Sequence, residues 1–307
     1  MSRIHEALKK AEQERVSSQQ VDFAALPPQP QPAVEARDEN SPAAIAASIL
    51  VRSKVITTEQ RQDLRFDDVQ ARCVRQWHPD ANANVFNSAL AATGAEQFRT
   101  LRSRLYQLRG SQQLKVLLIT SAVSGEGKTF LASNLAHAIV RQPDRRVLII
   151  DADLRRSQMH VPLGAQGAPG LTDYLRGEAD EMAIIQYSPE NNLCLIPGGN
   201  DVPNPSELLS NGRLKALLDR VSPLFEWVII DSSPSLPVAD ASILADYCDA
   251  LLLVVRARTT SSAAVLKACQ ELQGRKIVGV VLNAVEQGAL TYYNSPYRND
   301  YVKGSSS

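Results

Sequence analysis

The chain has 307 residues, 44% of them hydrophobic, which is enough for one large domain or two small ones with a real core. Its 33 basic and 33 acidic side chains cancel, so no global field argues for nucleic acid or for a strongly anionic surface as a partner. The four cysteines, Cys73, Cys194, Cys248 and Cys269, are far apart, form no CxxC pair and sit mostly in apolar runs, which argues against metal ligation and for reduced thiols in a cytosol.

The opening MSRIHEALKKAEQER puts Ile4, Ala7, Leu8 and Ala11 at helical spacing behind a Ser2 cap, predicting a short amphipathic helix over residues 1–15. Its apolar stripe is thin, so a helix that frays alone and a helix that docks on a partner are both open. No apolar leader precedes it and no window approaches the ~20 apolar residues of a membrane span, so the chain is expected to be soluble and cytoplasmic. From Val16 to Pro42 the sequence is polar and proline-rich (LPPQPQP), the composition of a disordered linker. Residues 43 to 92 show no motif, and 16–92 is read as linker and unassigned region.

A single domain is expected over 93–286, because short β-branched runs there alternate with amphipathic helical stretches. The runs are KVLLIT (115–120), RVLIID (146–151), LCLIP (193–197), WVIID (227–231), ALLLVV (250–255) and KIVGVVLN (276–283). Several lack polar alternation, as strands covered on both faces should. The fold class expected is an α/β P-loop NTPase: a mostly parallel sheet flanked by helices, with a largely disordered N-terminal extension and C-terminal tail.

After the first strand comes SGEGKTF, with helix-compatible sequence from Lys128. Gly125 and Gly127 let backbone N–H groups curl around phosphate oxygens, and the helix N-terminus adds its positive dipole end. Lys128 would bridge the β- and γ-phosphates, and the Thr129 hydroxyl would ligate magnesium. The nucleotide-binding set expected is Ser124, Gly125, Glu126, Gly127, Lys128, Thr129 and Phe130, with ATP and Mg2+ as cofactors. Two further strands end in acids: Asp151 and Asp153 in LIIDADLR, and Asp231 in WVIIDSSP. Parallel strands discharge along one edge, so these acids can converge on the phosphate loop, although an aspartate after a strand is often a plain turn cap. Magnesium takes one or two carboxylates plus phosphate oxygens and water, which this set supplies. His5, His78, His137 and His160 are scattered without a partner pattern.

The segment Tyr292 to Ser307, YYNSPYRNDYVKGSSS, holds four of the eight tyrosines on a stretch too polar and too broken by Pro296 and Gly304 to pack as core. Residues 287–307 are read as a flexible tail.

From about Glu96 to the C-terminus the chain resembles the bacterial tyrosine kinases called BY-kinases, P-loop enzymes unrelated in fold to eukaryotic protein kinases. SGEGKT resembles their Walker A motif, LIIDADLR the A′ motif of form hhhDxDxR, and VIIDSSP the Walker B motif. EQFRTLR matches an ExxRxxR oligomerisation pattern through Glu96, Arg99 and Arg102; NPSELL (204–209) and the tyrosine cluster complete the set. SRIHEALKKAE is similar to the subgroup found beside exopolysaccharide and exosortase systems. The chain departs from the pattern at Ser124 and at Ser233, where proline is frequent in the family.

The resemblance implies an ATP-dependent tyrosine kinase that phosphorylates Tyr292, Tyr293, Tyr297 and Tyr301 in trans and regulates exopolysaccharide or capsule biosynthesis. It implies Lys128, Asp151 and Asp153 as catalytic residues, with Asp151 the first choice of base, and Thr129, Asp153 and Asp231 around the metal. Asn283 occupies the place of a base-reading asparagine in related P-loop ATPases, or is a strand cap. The partners implied are a ring of like subunits joined through the Glu96/Arg99/Arg102 helix, a membrane polysaccharide co-polymerase that recruits the chain to the inner membrane, and a cognate tyrosine phosphatase, without nucleic acid. The rivals are a partitioning or positioning ATPase, disfavoured because Val123 stands where its signature lysine belongs, and a nucleotide-binding adaptor without transfer activity.

Overall fold

The computed structural model describes residues 64–80, 82–87, 92–190 and 192–286. The N-terminal helix, the proline-rich stretch and the tyrosine-rich tail expected above lie outside the described residues.

Each of the six apolar runs forms a strand, and a seventh joins them. In chain order these are β1 (Val116–Ser121), β2 (Val147–Asp151), β3 (Gln186–Ser188), β4 (Leu193–Ile196), β5 (Trp227–Asp231), β6 (Ala250–Arg256) and β7 (Ile277–Asn283). They make one sheet in the order β3-β4-β2-β5-β1-β6-β7. All neighbours are parallel except β3, which runs antiparallel to β4 at the edge. β3 is a polar triplet with no apolar run, so nothing in its sequence announces a strand.

Side chains alternate between the two faces. Leu118, Leu148, Ile150 and Ile230 enter one apolar core, while Leu117, Ile119, Ile149 and Ile229 enter the other. The second core is roofed by the long helix α2 (Ala92–Ser111), by α3 (Lys128–Val140) and by Leu163 of the short α4 (His160–Leu163); the first is roofed by α1 (Phe66–Arg72), α5 (Leu171–Arg176), α6 (Glu181–Ile184), α7 (Pro205–Leu209), α8 (Arg213–Val221), α9 (Asp240–Ala245) and α10 (Ser262–Glu271). Each fully buried Leu or Ile contributes about 1.5–3 kcal/mol of transfer free energy, so two such layers hold the strand ends in fixed register.

The folded domain starts earlier than residue 93. Phe66, Val69 and Cys73 are buried in the first core, and Val74 forms a parallel bridge to Tyr187 of β3. Trp77 is buried, the His78 N–H donates to the Gly164 carbonyl at 3.0 Å, and the Val85 N–H donates to Asn134 Oδ1 at 2.9 Å. This strap is fastened contact by contact to elements far along the chain, so it carries no period for a sequence reading to detect.

Candidate active site

β1 delivers the chain to the phosphate loop, whose Gly125 and Gly127 have φ of 80° and 93°, a left-handed region that glycine enters without a Cβ penalty. A Cβ at Gly127 would lie 2.1 Å from the Asn283 side-chain nitrogen. Glu126 points away from the loop's concave side. Its buried carboxylate accepts from the Val123 N–H (2.8 Å), the Arg256 N–H (3.1 Å) and the Thr260 hydroxyl (2.6 Å), and its own carbonyl accepts from Asn283 (2.8 Å). The loop is thereby pinned to the ends of β6 and β7. Lys128 and Thr129 open α3, at the positive end of its dipole.

β2 and β5 bring in the acids. Asp151 and Asp231 are register partners, and period two turns both toward the α3 side, the side of Ile149 and Ile229. The Thr129 hydroxyl donates to Asp231 Oδ2 at 2.5 Å, while Asp231 Oδ1 is buried with no hydrogen-bond partner. Burial pushes the Asp231 carboxyl up to about 8, with the Asp151 charge adding to it. Asp151 is held by Ser157 Oγ (2.8 Å) and by the Met159 and Asp153 N–H groups (3.0 and 3.2 Å). Burial pushes its carboxyl up as well, to about 6, against those bonds from Met159 and Ser157.

Asp153, past the end of β2, is half-buried and accepts from the Ser233 hydroxyl at 2.8 Å. Arg155 forms a two-pronged pair with Asp240, Nε to Oδ2 at 2.7 Å and Nη2 to Oδ1 at 3.2 Å. Ser206, from NPSELL, donates to Asp240 Oδ1 at 2.5 Å. Arg155, Ser206, Ser233 and Asp240 are not among the site residues expected from sequence; the DxDxR, NPSELL and VIIDSSP patterns contain three of them.

A cleft of about 470 Å³ opens at this edge, lined by Ser124, Gly125, Gly127, Lys128, Thr129 and Asp153 among others. Glu126, Phe130 and Asn283 do not line it. Phe130 and Asn283 face a neighbouring groove of about 470 Å³ between α2 and β7. Asp151 and Asp231 lie behind the cleft wall, 0% and 1% exposed, so Asp153 is the acid of the three that lines the cleft. Asp151, the first choice of base from the resemblance, is buried here and bonded to Ser157 and the Met159 N–H. A larger depression, about 840 Å³, lies at the opposite, N-terminal ends of the strands, lined by residues such as Arg109, Lys115 and Asp249; it lacks the phosphate loop and the paired acids.

Among the described residues no three His, Cys, Asp or Glu side chains form an all-protein metal cage. A hard dication that completes its shell with phosphate oxygens and water fits the donors present, because the unpartnered Asp231 oxygen and the Thr129 hydroxyl are adjacent hard ligands. Also among the described residues, no helix is long and apolar enough to cross a membrane.

Of the ExxRxxR face, Glu96 and Arg99 pair with each other at 2.8 Å on the surface, whereas Arg102 turns inward and donates to the Ala138 carbonyl near the end of α3 at 2.6 Å. The helix therefore presents two of the three expected residues at the surface and ties the third to α3 of the same chain.

The family described as AAA domain matches residues 114–276. The chain is 35% identical over 206 residues to tyrosine-protein kinase Etk of Escherichia coli K12, covering 66% of this chain but 28% of that protein. It is 36% identical over 200 residues to tyrosine-protein kinase CpsD of Streptococcus agalactiae, covering 64% of this chain and 85% of CpsD. The solved kinase domain of Escherichia coli Etk superposes with a TM-score of 0.64 at 33% identity, covering 69% of this chain and 83% of that structure.

Proposed function

The chain belongs to the bacterial tyrosine-kinase family, and from that premise we propose that it transfers the γ-phosphoryl group of ATP to tyrosine, with Tyr292, Tyr293, Tyr297 and Tyr301 of a neighbouring copy as acceptors. The observation that carries this reading is that Lys128, Thr129 and Asp153 line one cleft directly in front of Asp231.

Phosphoryl transfer requires positioning and charge neutralisation more than covalent chemistry. The loop N–H groups and the α3 dipole bind phosphate oxygens, and Lys128 neutralises the β- and γ-phosphates. Thr129 and Asp231 would hold magnesium directly or through water; when bound, the ion supplies charge stabilisation to the phosphates. A tyrosine hydroxyl, with a pKa near ~10, enters protonated. Asp153 lines the cleft and takes that proton as the tyrosine oxygen bonds to the γ-phosphorus and the bond to the β–γ bridging oxygen breaks, with ADP leaving; Asp151, sealed behind it, fixes the strand-end backbone from which Asp153 projects. Phe130 and Asn283 flank the groove beside the loop, where a nucleoside base would lie.

Tail tyrosines reach a neighbour's cleft when subunits assemble, and the exposed Glu96–Arg99 face of α2 is the assembly surface in this reading. Each phosphate adds about −1.5 to −2 charges, so successive modification repels the tail from the acidic edge and loosens the oligomer. The same reading places the chain beneath a membrane polysaccharide co-polymerase at the inner membrane, opposed by a tyrosine phosphatase, in control of exopolysaccharide or capsule production.

Incubation of the full chain with ATP and magnesium, followed by phosphotyrosine mapping by mass spectrometry, tests it. Phosphate on the tail tyrosines is the result expected. Hydrolysis without phosphotyrosine would make the protein an ATPase switch, and binding without turnover a nucleotide-dependent adaptor.

A further inference from the structure

Ser233 lies between two carboxylates. Its Oγ is 2.8 Å from Asp153 Oδ1 and 3.3 Å from Asp240 Oδ2, and it is 1% exposed. A hydroxyl carries one proton, so it cannot fully serve both acceptors. The winner is decided by what else each acid receives. Asp240 is buried and saturated: the Arg155 guanidinium grips both its oxygens, and Ser206 donates a further bond. Burial alone would raise the Asp240 carboxyl, yet these donors hold it below its ordinary value. Among the described residues, Asp153 has Ser233 as its one side-chain donor.

We propose that Ser233 is a positioning residue for Asp153, and that Arg155 acts through Asp240 to keep the Ser233 proton directed at Asp153. The importance of that orientation for turnover rests on the kinase reading above. The arrangement gives a use to Ser233, one of the two positions at which the sequence departs from its family's pattern, and to Ser206 of NPSELL. With Arg155 in place, Asp240 needs nothing more from Ser233, and Asp153 is aimed into the cleft. With Arg155 removed, a buried carboxylate short of donors competes for the proton and Asp153 loses its restraint.

The test uses the full-length protein with ATP, magnesium and an acceptor tyrosine peptide. S233A is expected to lower kcat about tenfold with KM for ATP changed less than about twofold, the loss of one hydrogen bond to a charged group. S233T, which keeps the hydroxyl, retains activity. R155M lowers kcat as S233A does, and the R155M/D240N pair regains activity over R155M because the competing charge is gone. Because D240N also removes the buried charge that R155M strands, the regain counts for this route only where kcat recovers more than the folded fraction read by the melting temperature. Wild-type kcat in S233A overturns the role of Ser233, and R155M/D240N no better than R155M overturns the route through Asp240. A crystal structure of R155M reads the geometry without turnover: Ser233 Oγ is expected on Asp240, and Ser233 still on Asp153 overturns the inference. If wild-type protein transfers no phosphate to tyrosine, the kinase reading fails and that structure alone decides the hydrogen-bond claim.

Discussion

Asp151 and Asp231 stand opposite each other on adjacent parallel strands, and both are sealed from solvent. Burial out of water is the main reason both carboxyls titrate high, and at Asp231 the Asp151 charge adds to it. Positive charge brought close to the pair favours the ionised form, as the Lys128 ammonium does at Asp231.

Stability of the nucleotide-free, metal-free protein should therefore fall as pH rises. The native Asp231 carboxyl keeps its proton up to about pH 8, whereas the unfolded chain releases it near 3.8. Between those values the unfolded state binds fewer protons, so ΔG of unfolding declines with pH across that window. D231N should flatten the decline and raise the melting temperature at pH 8 but not at pH 4, while abolishing transfer. Equal pH slopes for D231N and wild type, measured by calorimetry, would contradict the account.

D153N should abolish phosphoryl transfer while leaving nucleotide affinity within about threefold of wild type, because the P-loop carries binding. D151N should cut transfer as well and also lower thermal stability, since an Asn amide cannot accept all the N–H and O–H donors now converging on Asp151. Retained transfer in D153N alongside complete loss in D151N reverses the assignment of the base.

Glu126 is a structural strut for the phosphate loop. E126A strands the Val123 and Arg256 N–H groups and the Thr260 hydroxyl, and an unmet buried donor costs about 1–3 kcal/mol. A loss of about 2–4 kcal/mol in urea unfolding is expected, with weaker nucleotide binding, and E126Q should be milder because its amide oxygen still accepts. Stability equal to wild type in E126A would remove the strut.

The two faces of the ExxRxxR helix should separate experimentally. An exposed ion pair contributes only about 0–1 kcal/mol, so E96A/R99A should dissociate the oligomer in light scattering without changing the melting temperature. R102A removes a charge-assisted bond to the Ala138 carbonyl and should destabilise the subunit by about 1–2 kcal/mol. An E96A/R99A protein with unchanged mass in solution excludes that surface as the interface.

Replacing Tyr292, Tyr293, Tyr297 and Tyr301 together by Phe should leave phosphorylation of an added tyrosine peptide intact and remove autophosphorylation. Undiminished phosphotyrosine in that variant would place the acceptors elsewhere.

Much of the site was legible before folding was considered. The glycines of SGEGKT must adopt backbone conformations that other residues resist, and a strand on one side with a helix on the other leaves that loop few shapes. Continuous apolar runs announced six strands, five of them covered on both faces and β7 part-exposed at Val280 and Leu282. β3 and the strap from Leu64 were not legible: a polar triplet and a seven-residue helix have too little local preference, and packing against distant elements decides them.

Sequence by itself determined the phosphate loop, the strand-end acids and the alternation of strand and helix, because each depends on backbone conformation and periodicity within a few neighbouring residues. Tertiary structure alone decided which acid opens to the cleft, that Glu126 braces the loop from behind, that Arg102 bonds to the Ala138 carbonyl, and that Arg155 meets Asp240 across 85 residues of chain. Those facts depend on burial and on the geometry of partners brought together by the sheet order, and neither quantity is encoded in local spacing.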